Sequence, residues 1–525
     1  MEITLEQAIR QKLMISFEGV QPPAELLETL LSQPVGGITL FRHLNIHNPA
    51  QVRALTAALQ QAVRKAGQPA LLIATDQEGG QLMAIGEGTT LFPGNLALGA
   101  TRSTELACRA GFAMGRELAA MGINLDYAPV CDVNLNPLNP VVGTRSFGED
   151  PAQVASLSAA MVEGLQAAGV AATAKHFPGH GDTAADSHYT VPVIPYDENR
   201  LRQVELLPFS AAVQAGVRLV MTAHIALPAF NSGKHLPATL SPAILRGLLR
   251  GELGFEGLIV SDAMDMQAIH QGAGLTIDSI AAVAAGVDLL LLNHEAENLQ
   301  NVYQGLLQAV RRMLLSEEDV RASAARVLAL KRWLDEAEQP PLEIVGCAEH
   351  EALALEIASR SVTLVRNSVQ LLPLRLSPQT RLAVIVPIPE DLTPADTSSY
   401  ISPSLAHALR HYHPIVDEFL ISIDPSETQV AALRQQVNGY DLVIAGTINA
   451  TQHAGQAALV NALVESGIPT VAVALRMPYD LQVYPAVSTY VCTYNILPPS
   501  MEALAQALSG RIPFEGRLPV TIPGI

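Results

Sequence analysis

The segment GELGFEGLIVSDAMDMQAI, residues 251–269, contains a short apolar run that ends abruptly in Ser261 and Asp262. A continuous apolar run of this kind, bounded by glycine, is typical of a strand that is buried on both faces, as in a parallel sheet. Functional loops begin at the carboxyl ends of such strands. The segment therefore predicts a buried parallel strand with the Asp262 carboxylate at its functional end.

Seven further runs of this type precede or follow it, separated by longer stretches of helical character. This alternation is the pattern of parallel strands joined by helical crossovers. The eight runs cover residues 13–17, 36–41, 71–75, 125–130, 172–176, 218–224, 258–262 and 287–292. Eight strands within about 300 residues favour a (β/α)8 TIM-like barrel over an open doubly wound sheet, which usually has fewer strands per domain.

The chain divides around Pro340 and Pro341, where the helical periodicity is lost as it is in a linker. Apolar runs and helical stretches alternate again beyond this point, which predicts a smaller α/β sandwich. We therefore expect a barrel over residues 1–335, a linker over 336–352 and a C-terminal α/β sandwich domain over 353–525.

Composition limits the partners of the protein. Of the 525 residues, 49% are hydrophobic and 16% are charged, which is enough apolar material for two cores. The net charge of −18 offers no basic surface to a phosphate backbone, so we expect no nucleic-acid partner. No apolar run reaches the ~20 residues that span a bilayer, so we expect no membrane partner either.

The cysteines and the N-terminus indicate a compartment. The four cysteines are far apart and form no CxxC pair, so we interpret them as reduced thiols. The N-terminal segment lacks the apolar stretch and the cleavage site of a signal peptide. These features predict a soluble, cytoplasmic protein, and they leave its oligomeric state open.

Polar side chains follow most of the predicted barrel strands. In a barrel the carboxyl ends of all strands meet at one rim, where active sites are built. A single polar residue there is more often an ordinary solvated turn residue, and this also holds for Asp262 taken alone. Six of eight strands ending in this way nevertheless predict an active site; the residues are Asp76, Asp132, Lys175, His176, His224, Asp262, Asn293 and His294.

The loop after the fifth strand, AKHFPGHGDTAADSHYTVPV, residues 174–193, is rich in imidazole and carboxylate groups. One interpretation is a zinc or manganese site, since these groups are common ligands of both metals. Its ligands would come from His176, His180, Asp182, Asp186 and His188. The alternative divides the residues by task and requires neither a metal nor a cofactor, and we favour it.

In this second interpretation Lys175 and His176 hold a substrate at the strand end, while Asp186 and His188 act on the loop. A carboxylate two residues from an imidazole can accept its ring N–H and raise its pKa, so that the other ring nitrogen can transfer a proton. Retaining hydrolysis of a glycoside requires a carboxylate on one face of the anomeric carbon and a proton donor on the other. Asp262 and His188 are suited to these two tasks.

Six ordered segments resemble glycoside hydrolase family 3, specifically its bacterial β-N-acetylglucosaminidase branch. They are TDQEGG (75–80), NLDYAPVCDVNLNP (124–137), GTRSFGEDP (143–151), KHFPGHGDTAADSH (175–188), VMTAH (220–224) and GLIVSDAM (257–264). The resemblance covers nearly the whole barrel, and GRLPVTIPG near the C-terminus resembles the end of the family's second domain. It implies a β-N-acetylhexosaminidase that acts on a small carbohydrate, an N-acetylglucosaminide or a muropeptide fragment, in peptidoglycan recycling.

The resemblance also implies roles for individual residues. Asp262 is the nucleophile, and the DSH sequence supplies Asp186 and His188 as the acid/base pair. Asp76 accepts hydrogen bonds from the outer hydroxyls of the sugar, and Arg145, Lys175 and His176 contact the ring. The alternatives are structural ion pairs, between Arg145 and Glu149 or Asp150 and between Lys175 and Asp132.

One departure from the family pattern concerns the ligand beyond the core sugar. Many relatives have arginines directly after the EGG segment, whereas Gln81, Leu82, Met83 and Ala84 follow it here. If those arginines bind an acidic acyl or peptide group, this protein prefers plain N-acetylglucosaminides to muropeptides. The single tryptophan, Trp333, lies near the linker, so we expect little aromatic surface for a long polysaccharide.

Four alternative functions stay open. A β-glucosidase or an N-acetylglucosaminide phosphorylase would use the same family framework. A metal-dependent barrel hydrolase would use the histidine loop, residues 174–193, as its set of metal ligands. A non-catalytic sugar-binding sensor would lack the nucleophile or the proton donor, and this sequence has residues suited to both.

Overall fold

The computed structural model describes residues 3–183, 190–266, 269 and 274–525. Eight strands of the N-terminal part form a closed parallel barrel in the order β1-β2-β3-β6-β7-β8-β9-β10. The strands of this part are β1 (Leu13–Ile15), β2 (Gly37–Thr39), β3 (Leu72–Thr75), β4 (Gln77–Gly79), β5 (Leu82–Met83), β6 (Leu125–Asp126), β7 (Ala171–Phe177), β8 (Leu219–Thr222), β9 (Leu258–Ala263) and β10 (Leu289–Leu291). Each predicted run overlaps one barrel strand, so the predicted TIM-like barrel is confirmed.

The barrel strands are buried on both faces, which explains their continuous apolar sequences. In β9, Leu258 and Val260 point into the barrel interior, where they pack with Met14. Ile259, between them, packs into the larger cluster beneath the surrounding helices. The small hairpin of β4 and β5 follows β3 directly and lies at the functional end of the barrel.

Helices surround the barrel and begin at side chains that cap them. Asn48, Ser103, Asp150 and Ser316 each accept a hydrogen bond from a backbone amide of the first turn. The helices are α1 (Leu5–Arg10), α2 (Ala24–Ser32), α3 (Arg42–Asn45), α4 (Pro49–Lys65), α5 (Asn95–Thr101), α6 (Thr104–Ala120), α7 (Pro151–Ala167), α8 (Glu198–Gln203), α9 (Leu207–Gln214), α10 (Leu275–Ala285), α11 (Ala296–Arg311) and α12 (Glu317–Asp335), with a π-helix at Ala243–Glu252. None of the described helices has the length and apolar composition needed to cross a membrane.

The C-terminal part is a three-layer α/β sandwich, as predicted. Its sheet has the order β11-β16-β15-β14-β12-β13, and its neighbours are parallel except for the antiparallel pair β11 and β16. A separate hydrophobic cluster covers each face of this sheet. The elements are α13 (Ala348–Ser361), β11 (Thr363–Asn367), β12 (Leu382–Pro387), α14 (Leu405–Arg410), β13 (Val416–Ile421), α15 (Glu427–Gln436), β14 (Leu442–Thr447), α16 (Ala454–Glu465), β15 (Thr470–Ala474), β16 (Thr489–Cys492) and α17 (Pro498–Leu508).

The two parts share packing elements around the predicted linker. In α13, Leu353 and Ile357 belong to the cluster that surrounds the barrel, whereas Ala358 belongs to a cluster of the C-terminal sheet. Leu96 of α5 packs into the other C-terminal cluster. Because α13 packs into both hydrophobic cores, the predicted start of the C-terminal domain at residue 353 stays a prediction. The two parts are joined by shared packing as well as by the linker.

Candidate active site

A cavity of about 900 Å³ opens at the carboxyl ends of the barrel strands. A volume in this range holds a small-molecule ligand. Five residues predicted from the sequence line it together, namely Asp76, Arg145, Lys175, His176 and Asp262. The other two predicted site residues, Asp186 and His188, lie outside the described residues.

Asp262 lines the cavity, and hydrogen bonds from neighbouring residues fix the end of β9 that presents it. Its Oδ1 accepts a hydrogen bond from the Ala263 amide at 2.8 Å. Ser261 Oγ accepts one from the Leu291 amide of the neighbouring strand at 3.0 Å. His224, which follows β8, is buried, and its Nε2 lies 3.0 Å from the Ala263 carbonyl oxygen. A carbonyl only accepts, so Nε2 donates, and His224 supports the strand end that presents Asp262.

Glu78 connects the cationic residues of the site. Lys175 Nζ lies 2.6 Å from Asp76 Oδ1 and 2.6 Å from Glu78 Oε1. Arg145 donates two hydrogen bonds to Glu78, from Nε to Oε2 at 2.9 Å and from Nη2 to Oε1 at 2.7 Å. Glu78 is therefore the centre of a buried charge network that satisfies both cations.

The protonation state of Glu78 follows from these contacts. Burial alone would raise its pKa, but the charges of Arg145 and Lys175 outweigh burial and lower the pKa to about 2. Asp76, the remaining anionic partner of Lys175, has a side chain that is 26% exposed, against 1% for Glu78. Glu78 is thus structural, whereas Asp76 presents its carboxylate to the cavity.

The alternative ion pairs considered from the sequence do not form. Arg145 binds Glu78, while Glu149 accepts a hydrogen bond from the Thr521 amide at 2.8 Å and Asp150 caps α7. Asp132, the partner considered for Lys175, instead lies 2.7 Å from His176 Nδ1. Sequence reasoning missed Glu78, although it belongs to the TDQEGG segment.

The tautomer of His176 follows from its two neighbours. Its Nδ1 lies 2.7 Å from Asp132 Oδ2, and its Nε2 lies 3.4 Å from Arg145 Nη2. A guanidinium group only donates, so Nε2 is the acceptor and Nδ1 carries the proton toward Asp132. Asp132 also accepts a hydrogen bond from the His180 amide at 2.7 Å, which fixes the start of the histidine loop.

Asp126 is a second acid that sequence reasoning did not single out. It is fully buried at the end of β6, where its Oδ1 accepts a hydrogen bond from the Gln77 amide at 3.0 Å. Within the described residues its Oδ2 has no hydrogen-bond partner. Burial raises the pKa of Asp126 well above its usual range, despite that amide and the charge of Lys175. Burial therefore favours the uncharged form of the Asp126 carboxyl group.

In the described part of the histidine loop, His180 forms a hydrogen bond within the chain. His180 is buried, its Nδ1 lies 2.9 Å from Thr183 Oγ1, and burial lowers its pKa. Over the described ranges, no group of three or more His, Cys, Asp or Glu side chains is arranged to hold a metal ion. Asp186 and His188, two of the five ligands considered for a metal, fall outside those ranges.

We expect the substitution Glu78→Gln to lower the free energy of unfolding at pH 7 by roughly 3–5 kcal/mol, because it leaves two buried cations without their shared anion. The control is Glu105→Gln, whose exposed ion pair with Arg109 should contribute less than about 1 kcal/mol. Urea denaturation of both variants measures the difference. Equal losses would contradict a central role for Glu78.

The same network predicts a dependence of stability on pH. Because the folded pKa of Glu78 is depressed from 4.5 to about 2, its contribution is present above pH 4.5 and is lost as the pH falls toward 2. This contribution is on the order of 3 kcal/mol. Between pH 4.5 and 2 the unfolding free energy of the wild type should therefore fall more steeply than that of Glu78→Gln. Parallel curves would contradict the assigned pKa.

Comparison with known proteins adds the following findings. The family model described as "Glycosyl hydrolase family 3 N terminal domain" matches residues 4–330. A protein of Pseudoalteromonas piscicida named beta-hexosaminidase A is 33% identical, over 99% of this chain and 97% of its own length. A beta-N-acetylglucosaminidase/beta-glucosidase of Cellulomonas fimi is 32% identical, over 86% of this chain and 83% of its own.

A solved structure is similar over the full chain. The glycoside hydrolase family 3 beta-N-acetylglucosaminidase from Paenibacillus sp. str. FPU-7 superposes with a TM-score of 0.94 at 38% identity, covering 99% of both chains. The similarity therefore includes the barrel, the C-terminal sandwich and their arrangement.

Proposed function

Since the chain belongs to glycosyl hydrolase family 3, we propose that it is a glycoside hydrolase that removes terminal, non-reducing β-linked N-acetylglucosamine with retention of configuration. The observation that carries the proposal is the cavity that Asp262 shares with Asp76, Arg145, Lys175 and His176. A partly exposed carboxylate at a barrel rim, facing fixed polar groups, suits attack on a bound sugar. The relatives described as hexosaminidases support the choice of sugar.

In this proposal the charge network binds the sugar. Asp76 accepts hydrogen bonds from the outer hydroxyls, and Lys175 orients its carboxylate at 2.6 Å. Arg145 and His176 border the same cavity and contact the ring. Because Glu78 and Asp132 fix these two side chains, they meet the substrate without a large loss of side-chain freedom.

The reaction follows from two groups on opposite faces of the anomeric carbon. His188 protonates the glycosidic oxygen while Asp262 attacks the carbon, which forms a covalent glycosyl-enzyme and releases the aglycone. His188 then takes a proton from water, the water oxygen attacks the same carbon, and the Asp262 carboxylate leaves. Asp186 accepts the other ring N–H of His188 throughout. The roles of Asp186 and His188 rest on the DSH sequence and the family resemblance.

A matched pair of substitutions tests the assignment of Asp76. Asp76→Asn should lower kcat/KM by about 100-fold, because an amide replaces the charged acceptor of the sugar hydroxyls. Asp126→Asn is the control, since Asp126 is fully buried and burial favours its uncharged form, which an amide resembles in shape and charge. This control should stay within about tenfold of wild type. Steady-state kinetics on p-nitrophenyl N-acetyl-β-glucosaminide measure both, and a reversed order would contradict the assignment.

The function itself is tested by comparing two aryl glycosides. We expect turnover of p-nitrophenyl N-acetyl-β-glucosaminide with kcat/KM at least about 100-fold above that of the β-glucoside, since a site that binds the acetamido group discriminates against its absence. The opposite preference would identify a β-glucosidase. Absence of turnover of both would favour a sugar-binding sensor.

Two additions to the same assay separate the remaining alternatives. Formation of N-acetylglucosamine 1-phosphate in phosphate buffer would identify a phosphorylase, whereas we expect free N-acetylglucosamine. Loss of activity after treatment with a chelator would identify a metal-dependent hydrolase. We expect the activity to be unchanged by the chelator.

The cellular setting is part of the proposal. Cys108, Cys131, Cys347 and Cys492 are all unpaired, which supports a reducing compartment. We place the enzyme in the cytoplasm, where a β-N-acetylglucosaminidase would release the sugar from short glycosides or from peptidoglycan fragments during recycling.

A further inference from the structure

Two histidines lie one helical turn apart on the surface of the C-terminal domain. His407 belongs to α14, and His411 caps the end of this helix with backbone angles in the right-handed helical region. Both side chains are exposed, and their rings lie edge to face with centroids 5.0 Å apart. Residues four positions apart lie on the same face of a helix. Two histidines with this spacing can therefore bind the same metal ion.

The separation of the two rings fits a shared metal ion. A zinc–nitrogen bond is about 2.0–2.1 Å long and continues the line from the ring centre through the nitrogen. Two imidazoles that bind one ion at a cis octahedral or a tetrahedral angle therefore have centroids roughly 4.5–5.2 Å apart. The observed 5.0 Å lies within this range. The spacing of His407 and His411 thus permits chelation through their Nε2 atoms.

Glu502 of α17 determines which nitrogen of His411 is free. His411 Nδ1 lies 3.3 Å from Glu502 Oε2. Glu502 Oε1 accepts hydrogen bonds from Tyr412 Oη and from Gln506 Nε2, the latter at 3.0 Å. Burial alone would raise the pKa of Glu502, but its hydrogen bonds outweigh burial and lower the pKa. The ionised carboxylate only accepts, so His411 Nδ1 donates and Nε2 keeps its lone pair.

This contact is one that metal-binding histidines usually have. A carboxylate that accepts the second ring N–H of such a histidine orients the ring and makes the coordinating nitrogen more basic. Glu502 is placed to do both for His411, and its own hydrogen bonds hold it there. The cavity at the barrel rim is lined by other residues, and neither His407 nor His411 is among those described there. The histidine pair is therefore separate from the proposed catalytic site.

The surroundings of the pair leave two imidazoles for an ion. The third histidine of the segment, His413, is buried, and its Nε2 lies 2.6 Å from the Thr380 carbonyl oxygen. That nitrogen donates to the carbonyl, so it is not free to bind a metal. Arg410, the cation next to His411, donates from Nε to the Val416 carbonyl oxygen at 3.1 Å. The net charge of −18 favours the approach of a cation to the protein.

We propose that His407 and His411 form a surface site for a divalent transition-metal ion such as Zn²⁺ or Ni²⁺. Imidazole suits these ions, whereas Mg²⁺ and Ca²⁺ prefer oxygen ligands. Across the described ranges, no three His, Cys, Asp or Glu side chains are grouped to hold a metal. The site is therefore open, since two protein ligands leave the remaining coordination positions to water or to a ligand from another molecule.

Calorimetric titration of the untagged protein with Ni²⁺ near neutral pH tests the site. Ni²⁺ is the probe because thiolates, which the four cysteines could supply, compete more strongly for zinc. His407→Ala and His411→Ala should each lower the affinity for Ni²⁺ at least about tenfold, because a single imidazole cannot chelate. His235→Ala, which removes an exposed histidine elsewhere, is the matched control and should stay within about twofold of wild type.

Glu502→Gln tests the orienting carboxylate with a variant that keeps both imidazoles. It should weaken Ni²⁺ binding by about tenfold, at the lower end of the range for such carboxylates. Ni²⁺ should also raise the thermal midpoint of the wild type, because an ion that binds the folded state stabilises it, and Mg²⁺ should not. These variants are judged against their own metal-free midpoints, so a general loss of stability is not mistaken for loss of the site.

Two results would overturn the proposal. One is a wild-type protein that binds no Ni²⁺ at millimolar concentration. The other is an affinity for Ni²⁺ that stays the same in His407→Ala and in His411→Ala, because the ion would then be bound elsewhere on the chain.

Discussion

Replacing Asp262 with alanine is expected to lower kcat on p-nitrophenyl N-acetyl-β-glucosaminide by at least about four orders of magnitude, because the substitution removes the group that we propose as the nucleophile. The fold should survive, since the Asp262 side chain is partly exposed and the end of β9 is also held by Ser261 and His224. Circular dichroism and the thermal midpoint of the variant should match those of the wild type.

The matched control for this substitution lies on the same strand connection. Glu256 is an exposed acid that precedes β9, at the opposite end of the barrel from the cavity. Glu256→Ala should keep kcat within about twofold of wild type. Added azide provides a further readout, because it can replace the missing carboxylate in Asp262→Ala and yield the α-glycosyl azide. A folded Asp262→Ala variant with substantial activity would exclude Asp262 as the nucleophile.

Replacing His188 with alanine is expected to affect substrates in proportion to their need for a proton. For diacetylchitobiose the leaving group is an alkoxide unless it is protonated, so kcat/KM should fall by about 10³-fold, within the range attributed to general acid catalysis. For p-nitrophenyl N-acetyl-β-glucosaminide the leaving phenolate is stable, and kcat/KM should fall by less than about tenfold.

The comparison uses kcat/KM because this constant reports the first chemical step, before water attacks the intermediate. The exposed histidine His235 provides the control, and His235→Ala should leave both constants within about twofold of wild type. Equal losses on both substrates in His188→Ala would count against its role as the acid. The Asp186→Asn variant should show the same dependence on the leaving group to a smaller degree, since we propose that Asp186 orients the imidazole.

The barrel and the position of Asp262 were predictable because they depend on local sequence. A strand buried on both faces needs a continuous apolar run, and its carboxyl end is marked where that run stops, as at Ser261 and Asp262. Eight such runs then suffice to predict the closed barrel. The same reasoning placed Asp76, Lys175 and His176 at one rim.

The partners of the charged residues were not predictable, because they depend on contacts between distant parts of the chain. For Arg145 the sequence suggested ion pairs with the acids closest to it in the chain, Glu149 and Asp150. In the structure Glu149 accepts a hydrogen bond from the Thr521 amide, and Asp150 caps the start of α7. Arg145 instead binds Glu78, which lies in another part of the chain. Nothing in the local sequence distinguishes a buried Glu78 from an exposed one.

The segment of residues 391–400, part of which lines the cavity, shows the same limit across domains. The sequence predicts little aromatic surface near the site, because the single tryptophan, Trp333, lies near the linker. Tyr400, which lines the cavity, lies far from the barrel motifs in the chain. Its place at the cavity depends on Gln81, whose contacts with Ala395 and Arg476 connect residues more than 300 positions apart. The sequence alone shows that arginines are missing after the EGG segment, but only the structure shows that Gln81 attaches the two domains to each other.

The central claim, that Asp262 forms the covalent intermediate, is tested most directly by trapping that intermediate. A 5-fluoro derivative of N-acetylglucosaminyl fluoride should form a glycosyl-enzyme that hydrolyses slowly, and mass spectrometry of the digested protein then locates the sugar. We predict a single modified peptide with the sugar on Asp262. A sugar on any other carboxylate, or inactivation without a covalent adduct, would contradict the account.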